Sequence, residues 1–157
     1  MNIRHNVLWK VPVFCMAASW FTFNITAHMG GHFFTVVTVG SDGIPVYSAD
    51  PVRSAVFRGI LFLAVLFIGG LWAFRAMTRK EIAFSAAIAS TVYLVIVLAQ
   101  LYLPGFSVSL SVILAYVQDW TATLSSFLIM LTDNFTLSVI TAAFAPMLFI
   151  PFGNRNI

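Results

Sequence analysis

Residues 82–103 read IAFSAAIASTVYLVIVLAQLYL, twenty-two consecutive positions without a charged side chain. An α-helix needs ~20 apolar residues to cross the hydrocarbon core of a bilayer, so this stretch alone is long enough. Three others resemble it. Residues 11–29 and 59–74 also carry no charge, and residues 120–151 carry only Asp133. Hydrophobic residues make up 61% of the 157-residue chain and charged residues only 8%, whereas a soluble domain has about a quarter charged residues. So little charge cannot cover a water-facing surface. The expected class is an all-α integral membrane protein, one domain over residues 1–157, with the lipid bilayer as its first partner.

Eight basic residues against five acidic ones leave a net charge of +3. The basic residues flank apolar segments instead of forming a run, which points to membrane topology and not to nucleic acid. Cys15 is the one cysteine, so there is no internal disulfide and no four-cysteine metal site. Within an apolar segment it reads as a small buried hydrophobe. Arg4 and Lys10 precede the first segment as in a signal peptide, but the apolar run exceeds a usual h-region, so the segment is expected to be retained.

The first span is expected over 11–29, with Pro12 tolerated in its first turn and Trp9 at the membrane boundary. Gly30 and Gly31 are expected to end it, since each glycine costs about 1 kcal/mol relative to alanine in a helix. The β-branched run from Thr35 to Val39, the turn at Gly40, Ser41, Asp42 and Gly43, and the stretch from Ile44 to Tyr47 then predict a β-hairpin within an outer loop, 30–50. Unpaired strand edges find no water in lipid, so this hairpin belongs outside the hydrocarbon. Asp50 followed by Pro51 marks a helix start, predicting a second helix over 51–77 with its span over 56–77. Gly69 and Gly70 leave a notch for close packing. Thr78 and Glu81 form a capping box that opens a third span, 80–103, ended by Pro104 and Gly105.

Arg75, Arg79 and Lys80 cluster at the turn between the second and third spans. Short basic loops lie on the cytoplasmic side, and two crossings place the N-terminus there as well. The hairpin loop is then extracytoplasmic, and the expected location is a plasma or inner membrane.

Beyond residue 103 two readings compete. In the first, 106–118 is an interfacial or re-entrant helix, Tyr116 and Trp120 form an aromatic belt, and a fourth span covers 120–145. That yields a four-helix transmembrane bundle plus a short interfacial helix and a small extracytoplasmic β-hairpin. The alternative is five transmembrane helices: 106–131 forms one span, Asp133 and Asn134 turn the chain, and 135–152 forms another. The four-span reading is preferred because it keeps Arg155 inside and Asp119 at an interface.

In that reading Asp133 and Asn134 lie midway along the last helix, with Ser126, Ser138 and Thr141 at near-helical spacing. Intramembrane ionisable residues face the bundle interior or a wet cavity and often mark ion or proton pathways. Asp133, Asn134 and Arg58 are therefore transport candidates. Arg58 either snorkels to the headgroups or pairs with Asp119 or Asp50. His28 and His32 stand four apart at the outer border, where a metal or haem could bind with Asp42 and Asp50. Two imidazoles alone make no site, and hydrogen bonds to water or backbone are the plainer role. No cofactor is otherwise expected. There is no Gly-x-Ser-x-Gly elbow and no phosphate-cradling glycine loop, so no catalytic residue is assigned. The favoured function is a non-enzymatic accessory or scaffold subunit of a membrane complex, packing against other membrane proteins or itself. A small transporter or channel component is the alternative. A metal or haem protein using His28 and His32 is the second.

Overall fold

Three side chains that substitute for missing backbone partners set where two of the helices begin. The Asp50 carboxylate accepts from the amides of Val52 at 2.9 Å and Arg53 at 3.1 Å. Thr78 and Glu81 cap each other reciprocally: the Thr78 amide donates to Glu81 Oε2 at 2.9 Å and the Glu81 amide to Thr78 Oγ1 at 3.2 Å. Both caps stand where the sequence predicts them, because each depends on residues within one turn.

The computed structural model describes residues 7–39, 43–103 and 108–154. Arg4, Asp42, the stop at Pro104 and Gly105, and Arg155 lie outside the described residues. The order is α1 (Lys10–Phe34), β1 (Thr35–Val39), β2 (Pro45–Ala49), α2 (Pro51–Ile68), a π-helical turn (Gly69–Ala73), α3 (Arg79–Tyr102), α4 (Val108–Thr132), α5 (Phe135–Ala142) and a 3₁₀ segment (Ala145–Phe152). Pro51–Ala73, Arg79–Tyr102 and Val112–Thr132 are each long and apolar enough to cross a membrane. Phe135–Ala142 and Ala145–Phe152 together pass the same test but are bent by 41°. The first expected span, α1, is long but not among the three; Asn24, Thr26, His28 and His32 make its second half polar.

The hairpin is antiparallel with Thr35 opposite Ala49 and Val39 opposite Pro45, which puts the proline at the free end of its strand. The expectation that Gly30 and Gly31 end α1 is corrected: the helix continues to Phe34 and passes directly into β1. A side chain at Gly30 would meet the Phe34 ring at 2.6 Å, so glycine makes room there. Phe33 and Phe34 both pack on Phe57 of α2, at 5.4 and 5.2 Å between ring centres. Those contacts offset the glycine cost of roughly 1 kcal/mol per residue.

The second correction concerns the last third. From Val108 on, the residues expected as a separate interfacial helix, 106–118, and as the start of a span, 120–145, belong instead to one helix, α4, that runs through Gln118 and Asp119 to Thr132. Trp120 is not a belt residue. It is fully buried, stacked between Phe62 (5.1 Å, 11°) and Phe149 (5.3 Å, 20°), and its indole N–H points at the Phe62 carbonyl, 3.4 Å away. The Trp120 amide also donates to Ser19 Oγ at 3.2 Å.

Gly69 and Gly70 provide the notch the sequence predicts. A Cβ at Gly69 would lie 2.6 Å from Phe149 and 2.7 Å from Phe14, and one at Gly70 would collide with the Phe152 ring. Phe14, Phe74 and Phe149 meet edge to face around it, with centroids 4.8 to 5.8 Å apart.

At the opposite end from the hairpin, four chain segments converge. Ser85 of α3 accepts from the Val11 amide at 3.2 Å and donates to the Leu8 carbonyl, tying down the start of α1. The chain beyond the 3₁₀ segment returns to the α2–α3 turn, where the Asn154 amide donates to the Met77 carbonyl at 2.9 Å. Arg79 Nε donates to the Gly153 carbonyl at 3.2 Å. The described chain thus begins and ends at one end, the basic end, although it contains five α-helices. The α4 helix follows α3 and leads into α5, whose Val139 and Ala142 line one small cavity with Val97 of α3. Cysteines placed at Ala76→Cys and after Ile157, in a Cys15→Ser background, are expected to react with an impermeant maleimide from the same membrane face. Labelling from opposite faces would overturn this return of the chain.

Candidate functional site

Charge enters the bundle from two helices. Arg58 lies two turns into α2, and Asp119 lies at the middle of α4, one residue before the buried Trp120. Both are only partly exposed. The Thr22 hydroxyl lies within hydrogen-bonding reach of the Asp119 carboxylate, and the Arg58 charge lies within electrostatic range of it. Among the described residues no direct ion pair joins Arg58 and Asp119. Arg58 Nη1 instead donates to Ser126 Oγ at 2.9 Å.

The hydrogen-bond accounting around this pair is incomplete. Arg58 Nε, Asp119 Oδ2 and Thr26 Oγ1 are buried and have no protein partner. Thr26 lies one turn beyond Thr22 on the same side of α1. An orphaned buried polar atom costs about 1–3 kcal/mol, and more when charged. Water or a small polar ligand that both donates and accepts would satisfy these groups. On the other flank of α4, Gln118 Nε2 donates to Gln100 Oε1 at 2.9 Å while Gln118 Oε1 is unpartnered. A cavity of about 40 Å³ beside it, lined in part by Gln118, Thr121 and Ser125, has room for a water.

Of the residues singled out in the sequence, Arg58 therefore lies within electrostatic range of Asp119, one of its two candidate partners, without pairing with it directly. The other, Asp50, caps α2 and lies 3.5 Å from Arg53. Asp133 and Asn134 do not join this cluster, and their expected place midway along a helix is corrected. They form the exposed turn between α4 and α5: Asp133 has φ +50°, and the Asn134 side chain caps α5 by accepting from the Leu137 amide at 3.0 Å. Short polar side chains tolerate the left-handed region and compete for backbone partners, so an Asp-Asn pair favours a turn over a helix interior. Ser138 packs its hydroxyl 2.9 Å from that of Thr132, across the same turn.

His28 and His32 lie on α1 one turn apart, both exposed, and His28 Nδ1 is 2.8 Å from the Asn24 carbonyl oxygen. Among the described residues no group of three or more His, Cys, Asp or Glu side chains is placed to hold a metal ion. Arg75 and Lys80 are exposed at the basic end, while Arg79 is tied to the C-terminal segment. The sequence reading missed Ser19 and Thr22, both fully buried on the α1 face that meets α4. Their signal was present: Ser19, Thr22 and Thr26 fall three and four apart, a polar stripe on one helix face.

Comparison with known proteins yields nothing: no protein-family model, no curated protein and no solved structure matches this chain. The site must be judged on its own chemistry. Removing one member of a coupled charge pair strands the other, whereas removing both does not. Arg58→Met and Asp119→Leu are each expected to lower thermal stability in detergent, and the double variant to recover most of the loss. The coupling energy from the cycle should be about 0.5–3 kcal/mol, and strict additivity would show that the two groups do not interact.

Proposed function

We propose that this chain is a non-enzymatic integral membrane subunit that packs, within the bilayer plane, against other membrane proteins or a second copy of itself. The observation that carries the reading is an uncovered stripe along α2 and the π-helical turn that continues it. Ile60, Leu63, Phe67 and Leu71 recur at helical spacing and are each at least half exposed, and Trp72 beside them is 81% exposed. Water does not tolerate such a face on a helix, so lipid or another apolar helix covers it. The basic end, carrying Lys10, Arg75, Arg79 and Lys80, belongs on the cytoplasmic side of a plasma or inner membrane, with the hairpin outside. Purified in mild detergent from its own membrane, the chain is expected to run as a complex of fixed stoichiometry. Leu63→Ala with Phe67→Ala should weaken that association by about tenfold or more, as loss of buried interface anchors does. A solitary, monodisperse chain would sink the proposal.

A second reading, a small transport or channel component, is favoured by one specific observation: the unsatisfied Arg58–Asp119 cluster on the inner faces of α1, α2 and α4. Ionisable groups are retained in membrane interiors at a cost of a few kcal/mol, typically where ions or protons pass. In this reading the working carboxylate is Asp119, not Asp133. Proton flux into vesicles under an imposed pH gradient should be lost in Asp119→Asn and kept in Asp133→Asn, with both variants inserting normally. Equal flux in the wild type and Asp119→Asn would remove that carboxylate from any pathway.

A further inference from the structure

A groove of about 490 Å³ opens between the first turns of α1 and the end of the π-helical turn. Its walls are Trp9, Lys10, Val13, Phe14, Ala17, Ala73 and Phe74. Lys10, Val13, Phe14 and Ala17 fall at three- and four-residue steps, so they form one stripe along α1. Seven residues of helix extend about 10 Å, and along that length the lining changes from cationic and aromatic to wholly apolar. The far wall, Ala73 and Phe74, is apolar and carries no charge of its own, the nearest cation in the chain being the next residue, the exposed Arg75 at the basic end. Neither Lys10 nor Arg75 has a carboxylate partner among the described residues, and no acidic residue lines the groove.

We propose that this groove binds an anionic phospholipid. One acyl chain lies along Val13, Phe14 and Ala17 against Ala73, the phosphate sits at Lys10 and Arg75, and the Trp9 ring occupies the glycerol level. The charge and apolar surface are arranged in the order a lipid of the basic-side leaflet presents them. Basic groups at the membrane surface attract anionic headgroups, and basic recesses between helices hold them. Trp9, 64% exposed, is the kind of ring that settles at that boundary. The inference rests on the bundle lying in a bilayer, but not on which partner or solute the protein serves.

The test uses the full chain reconstituted in bilayers containing equal amounts of phosphatidylglycerol and phosphatidylcholine. A photo-crosslinking benzoylphenylalanine replaces Val13, which is 60% exposed, or Val95 of α3, 61% exposed and remote from the groove. At position 13 the adduct should favour phosphatidylglycerol by about fivefold or more. That preference should disappear in Lys10→Gln/Arg75→Gln, while position 95 labels both lipids equally. Equal labelling at the two positions overturns the site. So does crosslinking of position 13 to protein, which would assign the groove to a second copy or a partner helix. If neither position labels lipid, the bilayer premise itself fails, and that outcome is distinct from a groove without selectivity.

Discussion

The stack of Phe62, Trp120 and Phe149 is the contact on which this architecture depends. It brings together the middle of α2, the middle of α4 and the 3₁₀ segment, and the Trp120 amide adds α1 through Ser19. Within lipid, helices gain little from hydrophobic burial against each other, so close packing and interhelical hydrogen bonds must hold them. Stacked rings supply that contact, worth about 0.5–1.5 kcal/mol per pair beyond area burial. The glycines at 69 and 70 work to the same end, because removing two side chains from α2 lets Phe14, Phe149 and Phe152 approach its backbone. A bulkier notch would push the 3₁₀ segment away and strip one face from Trp120.

Polar groups inside the bundle divide into two kinds. Most hydroxyls return to their own helix: Thr22 donates to the Ser19 carbonyl, Ser125 to that of Ala122, and Thr123 to that of Trp120. Such groups are satisfied at no cost to packing and carry no message about function. A second group, Thr26, Arg58, Ser90, Tyr93, Gln118 and Asp119, keeps a buried atom each without a protein partner, and among these only Arg58 and Asp119 are charged. A membrane protein that only had to fold would gain by replacing the charge pair with apolar residues of similar size. Retention of both charges on different helices is the feature that folding alone does not explain.

How much was legible follows from how far each signal reaches. The caps at Asp50 and Thr78 act within one helical turn, and the hairpin from Thr35 to Ala49 is written in β-branched runs around a turn, so reading the chain locates them. Gly69 and Gly70 announce a close approach without saying that phenylalanines fill it. Trp120 was misplaced because an aromatic beside Gln118 and Asp119 looks like a membrane border. Its burial depends on Phe62 and Phe149, far away in the chain. The choice between a helix through Asp133 and a turn there was also undecidable from periodicity, since the flanking residues are apolar on every side. Arg58 pointed to Asp119 or Asp50 with equal force, and only packing showed that Asp50 is taken by its own helix.

Taken alone, the order of residues already pointed to segments long and apolar enough to cross a membrane, because solvent preference is a sum over side chains and needs no coordinates. It also determined the starts of α2 and α3, the hairpin and the asymmetric placement of basic charge. Tertiary structure decided which end the chain returns to, which tryptophan is buried, and that Arg58 in α2 donates to Ser126. Those are pairings between segments distant in sequence, and an almost uniformly apolar chain carries too little contrast along its length to specify them locally.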